Sequence, residues 1–437
     1  MAAVFLPLFF NPYARQSIEA GKANLFLFIS FGMLIVAVLS IYQEMEAVNA
    51  WGTWRFFTKE KLKNLAADNP LLLPAVVYAI IYILAALLSI DPSTSWWGIS
   101  TKQGALTVLY AILFFILLTS AIQNKDQIDR LITSLIIGSI PASIYGLVQY
   151  FGMDPFEWVT GSISQVHSTL GYSLYFGAYL AVIIPFTFSR IITGVGRKSA
   201  LNWFYLVFML LQIFALFTTL ARGAWLGFMT GCVLLLLLLL YRWRMKRLVI
   251  ITGLFILIGG ILFLFSNTGW LLPVAGSATG LSGTQVAEAR VNSNLERLEI
   301  WRYTLPVISR RPLLGYGPET FLTAFWSYYP IETNPQLRAL NPWDPHNLFL
   351  YHLTAVGILG IAAFLWLLIR FYRQTLTALI KSETRSTQIL ISTVIGSLSA
   401  YLILAQFNPV AITSLVLFWF VLALGAALAR SGHPSFN

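Results

Sequence analysis

The feature of this sequence that most constrains its fold is a series of eleven mainly apolar stretches. A helix needs about 20 such residues to cross the hydrocarbon core of a bilayer. The segment 1–12 is too short to cross unaided, so we expect eleven to twelve spans. The sequence therefore predicts an all-α, polytopic membrane protein. The stretches lie at about 24–42, 71–90, 104–122, 131–150, 172–190, 202–220, 223–241, 248–265, 347–369, 387–406 and 410–429.

The amino-acid composition supports the same class. Hydrophobic residues make up 58% of the chain and charged residues 10%, whereas a soluble domain has about 45–50% apolar and about 25% charged residues. A soluble enzyme is therefore excluded, and the net charge of +11 is better explained by basic loops at a membrane than by nucleic acid. The single cysteine, Cys232, permits neither an internal disulfide nor a thiolate metal site. The first residues lack the pattern of a signal peptide.

Basic residues in the connecting loops predict the side of the membrane that each loop occupies. The densest basic segment, RWRMKR at 242–247, is expected in the cytoplasm, where loop lysines and arginines concentrate. The loops at 151–171 and 407–410 carry neither residue, so the long interval 266–346 is expected on the periplasmic side. An odd number of spans also places the N-terminus there. We therefore expect about eight spans in 1–265, a periplasmic loop at 266–346 and about three spans in 347–437.

The interval 266–346 is the one long polar segment, and its pattern predicts local structure. Residues 286–309 place apolar side chains at helical spacing, which indicates a helix. Pro312 and the Gly-Tyr-Gly-Pro turn at 315–318 end it, and a second short helix is predicted at 319–329. Arg290 and Arg297 are seven residues apart, so they share one face of the first helix.

Arginine is the basic residue of this interval, which contains no lysine. A planar guanidinium donates two parallel hydrogen bonds to phosphate oxygens, a geometry that lysine cannot match. The choice of arginine therefore favours recognition of an anion, although Arg297 could instead pair with the neighbouring Glu296 and Glu299. Arg310 and Arg311 are expected to face solvent or lipid phosphates. The six arginines are Arg290, Arg297, Arg302, Arg310, Arg311 and Arg338.

Two further residues could take part in chemistry. Arg222 lies between two apolar runs, where a buried arginine usually has a partner; the alternative is an interfacial side chain that reaches lipid headgroups. His346 follows Pro345 at the expected start of a helix near Asn347, and a histidine at a membrane surface can act as base, donor or metal ligand. Carboxylates near the arginines are expected to keep a low pKa and to be poor bases. No metal-ligand spacing is present in the sequence, so we predict no metal and no cofactor.

At these residues the sequence resembles the O-antigen ligase family of membrane glycosyltransferases. Three motifs carry the resemblance: an arginine after an apolar run, an Arg…Trp…Pro-Leu-x-Gly-x-Gly pattern, and His-Asn followed by Gly-x-x-Gly. A Gly-Asn-Pro-Asn-like element of many relatives is replaced here by LGYS at 170–173, which leaves His167 without an assigned role. The motifs stand at TLARGA 219–224, at Arg297, Trp301 and PLLGYG 312–317, and at His346, Asn347 and GILG 357–360.

The resemblance implies a GT-C-type bundle in the bacterial inner membrane, working in lipopolysaccharide biosynthesis. It implies a glycan donor carried on undecaprenyl diphosphate, and transfer of that glycan to a hydroxyl, in the ligases a lipid A–core sugar, at the periplasmic face. Arg222 and Arg297 would hold the diphosphate, His346 would serve the acceptor hydroxyl, and all three would be catalytic. The donor would also contact Arg290, Arg302 and Asn347. The reaction is expected to be inverting and metal-independent.

Two alternatives remain open at this stage. O-antigen polymerases and protein O-oligosaccharyltransferases use the same donor with another acceptor, so motifs of the donor site cannot separate them from a ligase. A solute or anion transporter is an alternative of another class. Against a transporter, the sequence shows neither an inverted repeat nor paired broken spans. Beyond donor, acceptor and lipid bilayer, no nucleic-acid partner is expected.

Overall fold

The computed structural model describes residues 2–11, 18–47, 69–99, 102–156, 158, 166–194, 200–245, 249–254, 256–257, 283–340 and 342–430. For some of these residues, including 283–295, Arg338 and Ala339, it describes the backbone alone. Statements below about what is absent apply to these described ranges.

Fourteen α-helices account for most of the described chain, which contains no β-strand. Two 3₁₀ helices, Ser168–Leu170 and Pro335–Leu340, lie in connections. The α-helices are α1 Ala2–Leu8, α2 Ile18–Ala47, α3 Leu72–Leu87, α4 Pro92–Trp97, α5 Ala105–Ala121, α6 Lys125–Tyr150, α7 Ser173–Gly194, α8 Ala200–Thr218, α9 Arg222–Trp243, α10 Gly283–Arg310, α11 Phe321–Tyr328, α12 Leu348–Lys381, α13 Arg385–Leu404 and α14 Ile412–Arg430.

The helices confirm an all-α polytopic membrane protein. Eight helices of the described part are long and apolar enough to cross a membrane, and two shorter apolar helices, α3 and α5, correspond to two more predicted spans. The predicted stretch at 248–265 falls largely outside the described residues, although 249–254 and 256–257 are helical. The predicted loop helices are confirmed at Gly283–Arg310 and Phe321–Tyr328.

Hydrogen bonds between connections show which helix ends share a side. Glu19, at the start of α2, accepts the Ile412 amide at 2.7 Å, and Lys22 donates to the Thr169 carbonyl at 3.0 Å. The start of α12 lies at the same end, because Leu348 N donates to the Ala405 carbonyl at 2.9 Å, a few residues before Ile412. We call this end of the bundle the loop end. The first long helix therefore starts at the loop end, which agrees with an odd number of spans.

The opposite end carries the basic connections. Arg242 donates to the Ser382 carbonyl at 2.8 Å, and the Trp243 indole donates to the Gln388 side chain at 2.6 Å. Arg385 stacks over the Trp243 ring at 5.3 Å. The loops in which the sequence concentrates positive charge therefore lie together, away from the loop end.

Close packing of α9 against α13 fixes the position of Arg222. Glycines let the two backbones approach: a Cβ at Gly227 would lie 2.6 Å from the Ala400 carbonyl, and one at Gly231 would lie 2.8 Å from the Gly396 carbonyl. Small residues at such crossings are typical of membrane helices. The N-terminal residue of α9, Arg222, is thereby held at the loop end.

Helix α12 is broken at Gly357, whose φ of +64° lies in the left-handed region. In an uninterrupted helix the amides of Ile358 and Leu359 would donate to the carbonyls of Thr354 and Ala355, four residues earlier. The break separates these pairs, and leaves two donors and two acceptors that must find other partners inside the protein.

The segment 312–317, PLLGYG, supplies those partners. Two amides of this segment donate to the two freed carbonyls of α12, and two of its carbonyls accept hydrogen bonds from the two freed amides. The segment therefore satisfies all four backbone groups at the break. A Cβ at Gly357 would lie 2.2 Å from the Leu313 carbonyl, which leaves space for glycine alone. The four bonds are Tyr316 N to Thr354 O at 2.7 Å, Gly317 N to Ala355 O at 3.0 Å, Ile358 N to Pro312 O at 2.8 Å and Leu359 N to Leu313 O at 3.2 Å.

Candidate active site

The structure brings the three residues predicted to be catalytic together at the loop end. Arg222 begins α9, Arg297 lies on α10, and His346 lies in the segment before α12. All three are half-buried. Arg297 is close enough to Arg222 and Asp344 for their charges to affect its ionisation, and its own charge affects the ionisation of Asp344 and His346.

The electrostatics around Arg297 favour an anion. Burial lowers its pKa, the neighbouring Tyr172 raises it, and the positive charge of Arg222 lowers it further. The alternative of a salt bridge to Glu296 or Glu299 is not observed within the described residues, where both carboxylates are exposed. Two guanidinium groups held beside each other in a half-buried place repel one another, and a bound phosphate would relieve that repulsion.

His346 is held in an uncommon backbone conformation. Its φ is +52°, in the left-handed region that a residue with a Cβ seldom adopts, and its amide donates to Asp344 Oδ1 at 2.6 Å. The ring packs edge-on against Trp343 with centroids 5.0 Å apart. Its buried Nδ1 has no hydrogen-bond partner among the described residues. Strained residues with unsatisfied polar atoms concentrate at functional sites.

The ionisation of His346 and Asp344 follows from burial. Burial, and then the charge of Arg297, lower the pKa of His346 to about 4, so the imidazole is neutral at pH 7. Burial is also the largest cause that raises the pKa of Asp344 to about 7, assisted by Glu319 and opposed by the His346 amide and Arg297. The expectation that carboxylates near the arginines keep a low pKa is therefore wrong for Asp344, because burial outweighs the nearby positive charge.

The side chain of Asn347 forms hydrogen bonds with the first turn of α12. Its Oδ1 accepts the amides of Phe349 at 3.0 Å and Leu350 at 3.1 Å, which caps α12. Its Nδ2 makes a long contact of 3.5 Å with the Gln406 carbonyl. The predicted helix start is confirmed, and the cap fixes the position of the residue immediately before it, His346.

The other arginines of the interval are spread apart. Arg302 is exposed and, five residues after Arg297, is turned about 140° around the helix from it. The side chain of Arg290 lies outside the described residues, as does that of Arg338. Arg310 and Arg311 are exposed, as expected, and lie over the rings of Tyr328 at 4.2 Å and Tyr316 at 5.4 Å.

Three residues near the site had no role assigned from the sequence. Tyr172 faces Arg297, Asp344 faces His346, and Glu319 has a left-handed φ of +56°. The Glu319 carboxylate accepts the amide of Ile99 at 2.5 Å and that of Gln103, and so joins the connection before α5 to the site. All three residues lie in connections, where side-chain periodicity gives no signal. Within the described residues, no three His, Cys, Asp or Glu side chains lie close enough together to hold a metal.

The fold and the site define a polytopic membrane protein with an arginine–histidine centre where its loops meet one end of the bundle. Residues 206–365 match the model of the O-antigen ligase family. This range includes all three residues predicted to be catalytic, and it confirms the resemblance seen in the motifs.

One curated relative supports the same class. A protein of Rickettsia prowazekii (strain Madrid E), which carries the provisional name polysaccharide ligase, is 26% identical over 284 residues. The alignment covers 61% of this chain and 61% of that relative. The two comparisons support the general class of membrane ligases that act on glycans.

Proposed function

We propose that this protein is an O-antigen ligase-type glycosyltransferase of the bacterial inner membrane. It would take a glycan from undecaprenyl diphosphate and transfer it to a hydroxyl of a lipid A–core sugar at the periplasmic face. The observation that carries the proposal is the convergence of Arg222, Arg297 and His346 at the loop end, which the proposal places in the periplasm.

The two arginines would bind the donor diphosphate. The guanidinium of Arg297, and that of Arg222 beside it, would hold phosphate oxygens and stabilise the charge that develops as the sugar–phosphate bond breaks. The absence of lysine from 266–346 suits this role, because bidentate geometry is what arginine adds. Arg290 would lie on the same helix face as Arg297 and extend the site, whereas Arg302 would contact more distant parts of the glycan.

His346 would serve the acceptor. The acceptor oxygen attacks the anomeric carbon opposite the diphosphate, the bond from that carbon to the phosphate oxygen breaks, and undecaprenyl diphosphate leaves with the electron pair. The hydroxyl proton passes to the neutral imidazole. Attack from the side opposite the leaving group inverts the anomeric carbon. Because imidazole stays neutral here, it can accept that proton without first losing one.

Purified protein supplied with a lipid-linked glycan and separate candidate acceptors tests this function. We expect a new glycosidic bond on the lipid A–core acceptor. Lengthening of the glycan on the donor lipid would indicate a polymerase instead, and glycan on a serine or threonine would indicate a protein transferase. Flux of solute into vesicles without any glycosidic bond would indicate a transporter and would contradict the proposal.

A further inference from the structure

A cavity extends from the site into the bundle between α3, α12, α13 and α14. The space between these helices is about 650 Å³ when the open solvent at its mouth is included. Asp344 and Asn347 line it on the loop side. The cavity therefore begins two residues from His346 and continues toward the membrane interior.

The lining combines aromatic rings with polar groups. Four tyrosines, a histidine and a tryptophan face the space, together with side-chain amides near the mouth. A polyprenyl chain could not form hydrogen bonds with any polar group of the lining that lacks a partner in the protein, and leaving such a group buried and unpaired is costly. A sugar ring suits them, because its apolar face can lie on an aromatic ring while its hydroxyls form hydrogen bonds. These six rings belong to Tyr78, Tyr82, Tyr351, His352, Tyr401 and Trp419, and the rings of Phe364 and Phe418 also line the space.

Most polar groups that line this cavity are paired, and two are not. His352 contacts the Tyr78 hydroxyl at 2.7 Å and the Leu348 carbonyl at 2.8 Å. By contrast, the buried Tyr351 hydroxyl and the buried Asn408 Nδ2 have no hydrogen-bond partner among the described residues. The Glu319 backbone amide approaches the Tyr351 hydroxyl, but the contact falls short of ordinary hydrogen-bond geometry. Buried polar atoms are rarely left unpaired, so these two atoms indicate a ligand that brings hydrogen-bonding groups.

Asn408, which carries one of the two unpaired atoms, also lies beside the proposed diphosphate site. Asn408 packs against Gly223, the residue after Arg222: a Cβ at Gly223 would lie 2.9 Å from Asn408 Oδ1. A ligand whose phosphate is at Arg222 can therefore place its next group at the cavity mouth.

We propose that this cavity is a sugar-binding subsite, in which the hydroxyl of Tyr351 and the amide of Asn408 bind hydroxyls of one pyranose ring. The inference rests on the proposed function and adds to it a second place of recognition, separate from the phosphates. Two substrates could supply the ring: the reducing-end sugar of the lipid-linked donor, or the terminal sugar of the acceptor.

Tyr351→Phe tests the subsite, because it removes one unpaired hydroxyl and keeps the ring. The matched control is Tyr179→Phe, which removes another buried and unpaired hydroxyl that does not line this cavity. Dissociation constants are measured for the lipid-linked glycan and for undecaprenyl diphosphate without sugar, and KM is measured for the acceptor. Thermal midpoints of both variants, measured alongside, are expected not to fall, since an unpaired buried hydroxyl contributes no stability.

If the donor sugar occupies the subsite, Tyr351→Phe weakens binding of the lipid-linked glycan about three- to tenfold and leaves the bare lipid diphosphate unchanged. If the acceptor sugar occupies it, the acceptor KM rises by the same factor and donor binding is unchanged. The subsite is overturned if both quantities stay at the wild-type values, or if the bare lipid diphosphate weakens equally. Failure of the wild-type protein to bind undecaprenyl diphosphate would instead refute the proposed function on which the subsite rests.

Discussion

The indole N–H of Trp301 donates to the carbonyl of Pro345 at 2.7 Å. This bond joins α10, which carries Arg297, to the segment that carries His346. Trp301 lies one helical turn after Arg297, and Pro345 immediately precedes His346. The bond therefore fixes the segment of His346 relative to the helix of Arg297. The relative position of the two proposed binding groups depends on this contact.

Replacing Trp301 with Phe should lower transfer while donor binding stays near the wild-type value. The substitution keeps an aromatic ring and removes the hydrogen bond to Pro345, so His346 loses its position relative to Arg297. We expect a fall of about tenfold in kcat, since small misplacements at an active site are costly. Trp203→Phe is the control, because Trp203 is 67% exposed. Equal activity of both variants would show that this bond does not position the site.

Replacing Arg222 or Arg297 with Ala should remove most transfer and leave the protein folded in detergent. In the proposed function each change would remove charge-assisted hydrogen bonds to the diphosphate, which predicts a loss of donor affinity of at least about tenfold. Lysine should restore little, because it lacks the bidentate geometry. Arg310→Ala and Arg311→Ala serve as controls on exposed arginines and should change donor affinity less. Full activity of the Arg222→Lys protein would contradict bidentate binding of the diphosphate and would indicate that Arg222 only anchors the helix at the lipid interface.

Replacing His346 with Ala should keep donor binding and reduce transfer by about 10²–10⁴-fold, the usual contribution of a positioned base. Donor affinity and single-turnover transfer are measured on the same preparation. His167→Ala is the control: that side chain contacts the Ser168 carbonyl at 3.0 Å and the ring of Trp158. Near-normal transfer by the His346→Ala protein would make Asp344 the next residue to test.

The pH dependence of kcat/KM should distinguish His346 from Asp344, because its acid limb reports the free enzyme's essential base. With the pKa of His346 lowered to about 4, the imidazole stays neutral on acidification to about pH 5. Transfer should then fall only as the pH approaches 4. Donor binding is measured at each pH, so that protonation of the diphosphate is accounted for. An acid limb centred near pH 7 would assign the proton to Asp344, whose pKa is raised to about 7.

Treatment with EDTA should leave transfer intact. In the proposed function, the positive charges of Arg222 and Arg297 would stabilise the leaving diphosphate in place of a divalent ion. Rates are compared with and without chelator, and after addition of Mg²⁺ or Mn²⁺ in excess. Loss of activity with chelator and its return with metal would overturn this prediction.

Helices and their order were predictable from the sequence because burial in a bilayer demands long apolar stretches. The site was partly predictable for a different reason: arginines and a histidine are conspicuous in apolar surroundings. Asp344 was misjudged because its pKa depends on burial by residues distant in sequence. Glu319 and Tyr172 were missed because each acts through contacts made by loops from other parts of the chain.

The break of α12 at Gly357 could not be predicted from the sequence. The glycines at 315 and 317 predict a tight turn, whereas Gly357 lies inside the predicted span 347–369, and the sequence gives no indication that the two motifs meet. Their pairing is a contact between segments about 40 residues apart, and periodicity describes a single helix at a time. The resemblance to a family identified both motifs without explaining why they occur together.

The inserted segment 312–317 imposes an order on the making of this protein. Ribosomes synthesise it before residues 354–359, so its amides and carbonyls bond to water until α12 is made and can replace that water. A chain truncated before Gly357 would contain Arg222, Arg297 and His346 and still lack Ile358 and Leu359, whose amides donate to the carbonyls of Pro312 and Leu313. The contact between this segment and α12 therefore forms late in biogenesis, after most of the bundle has been synthesised.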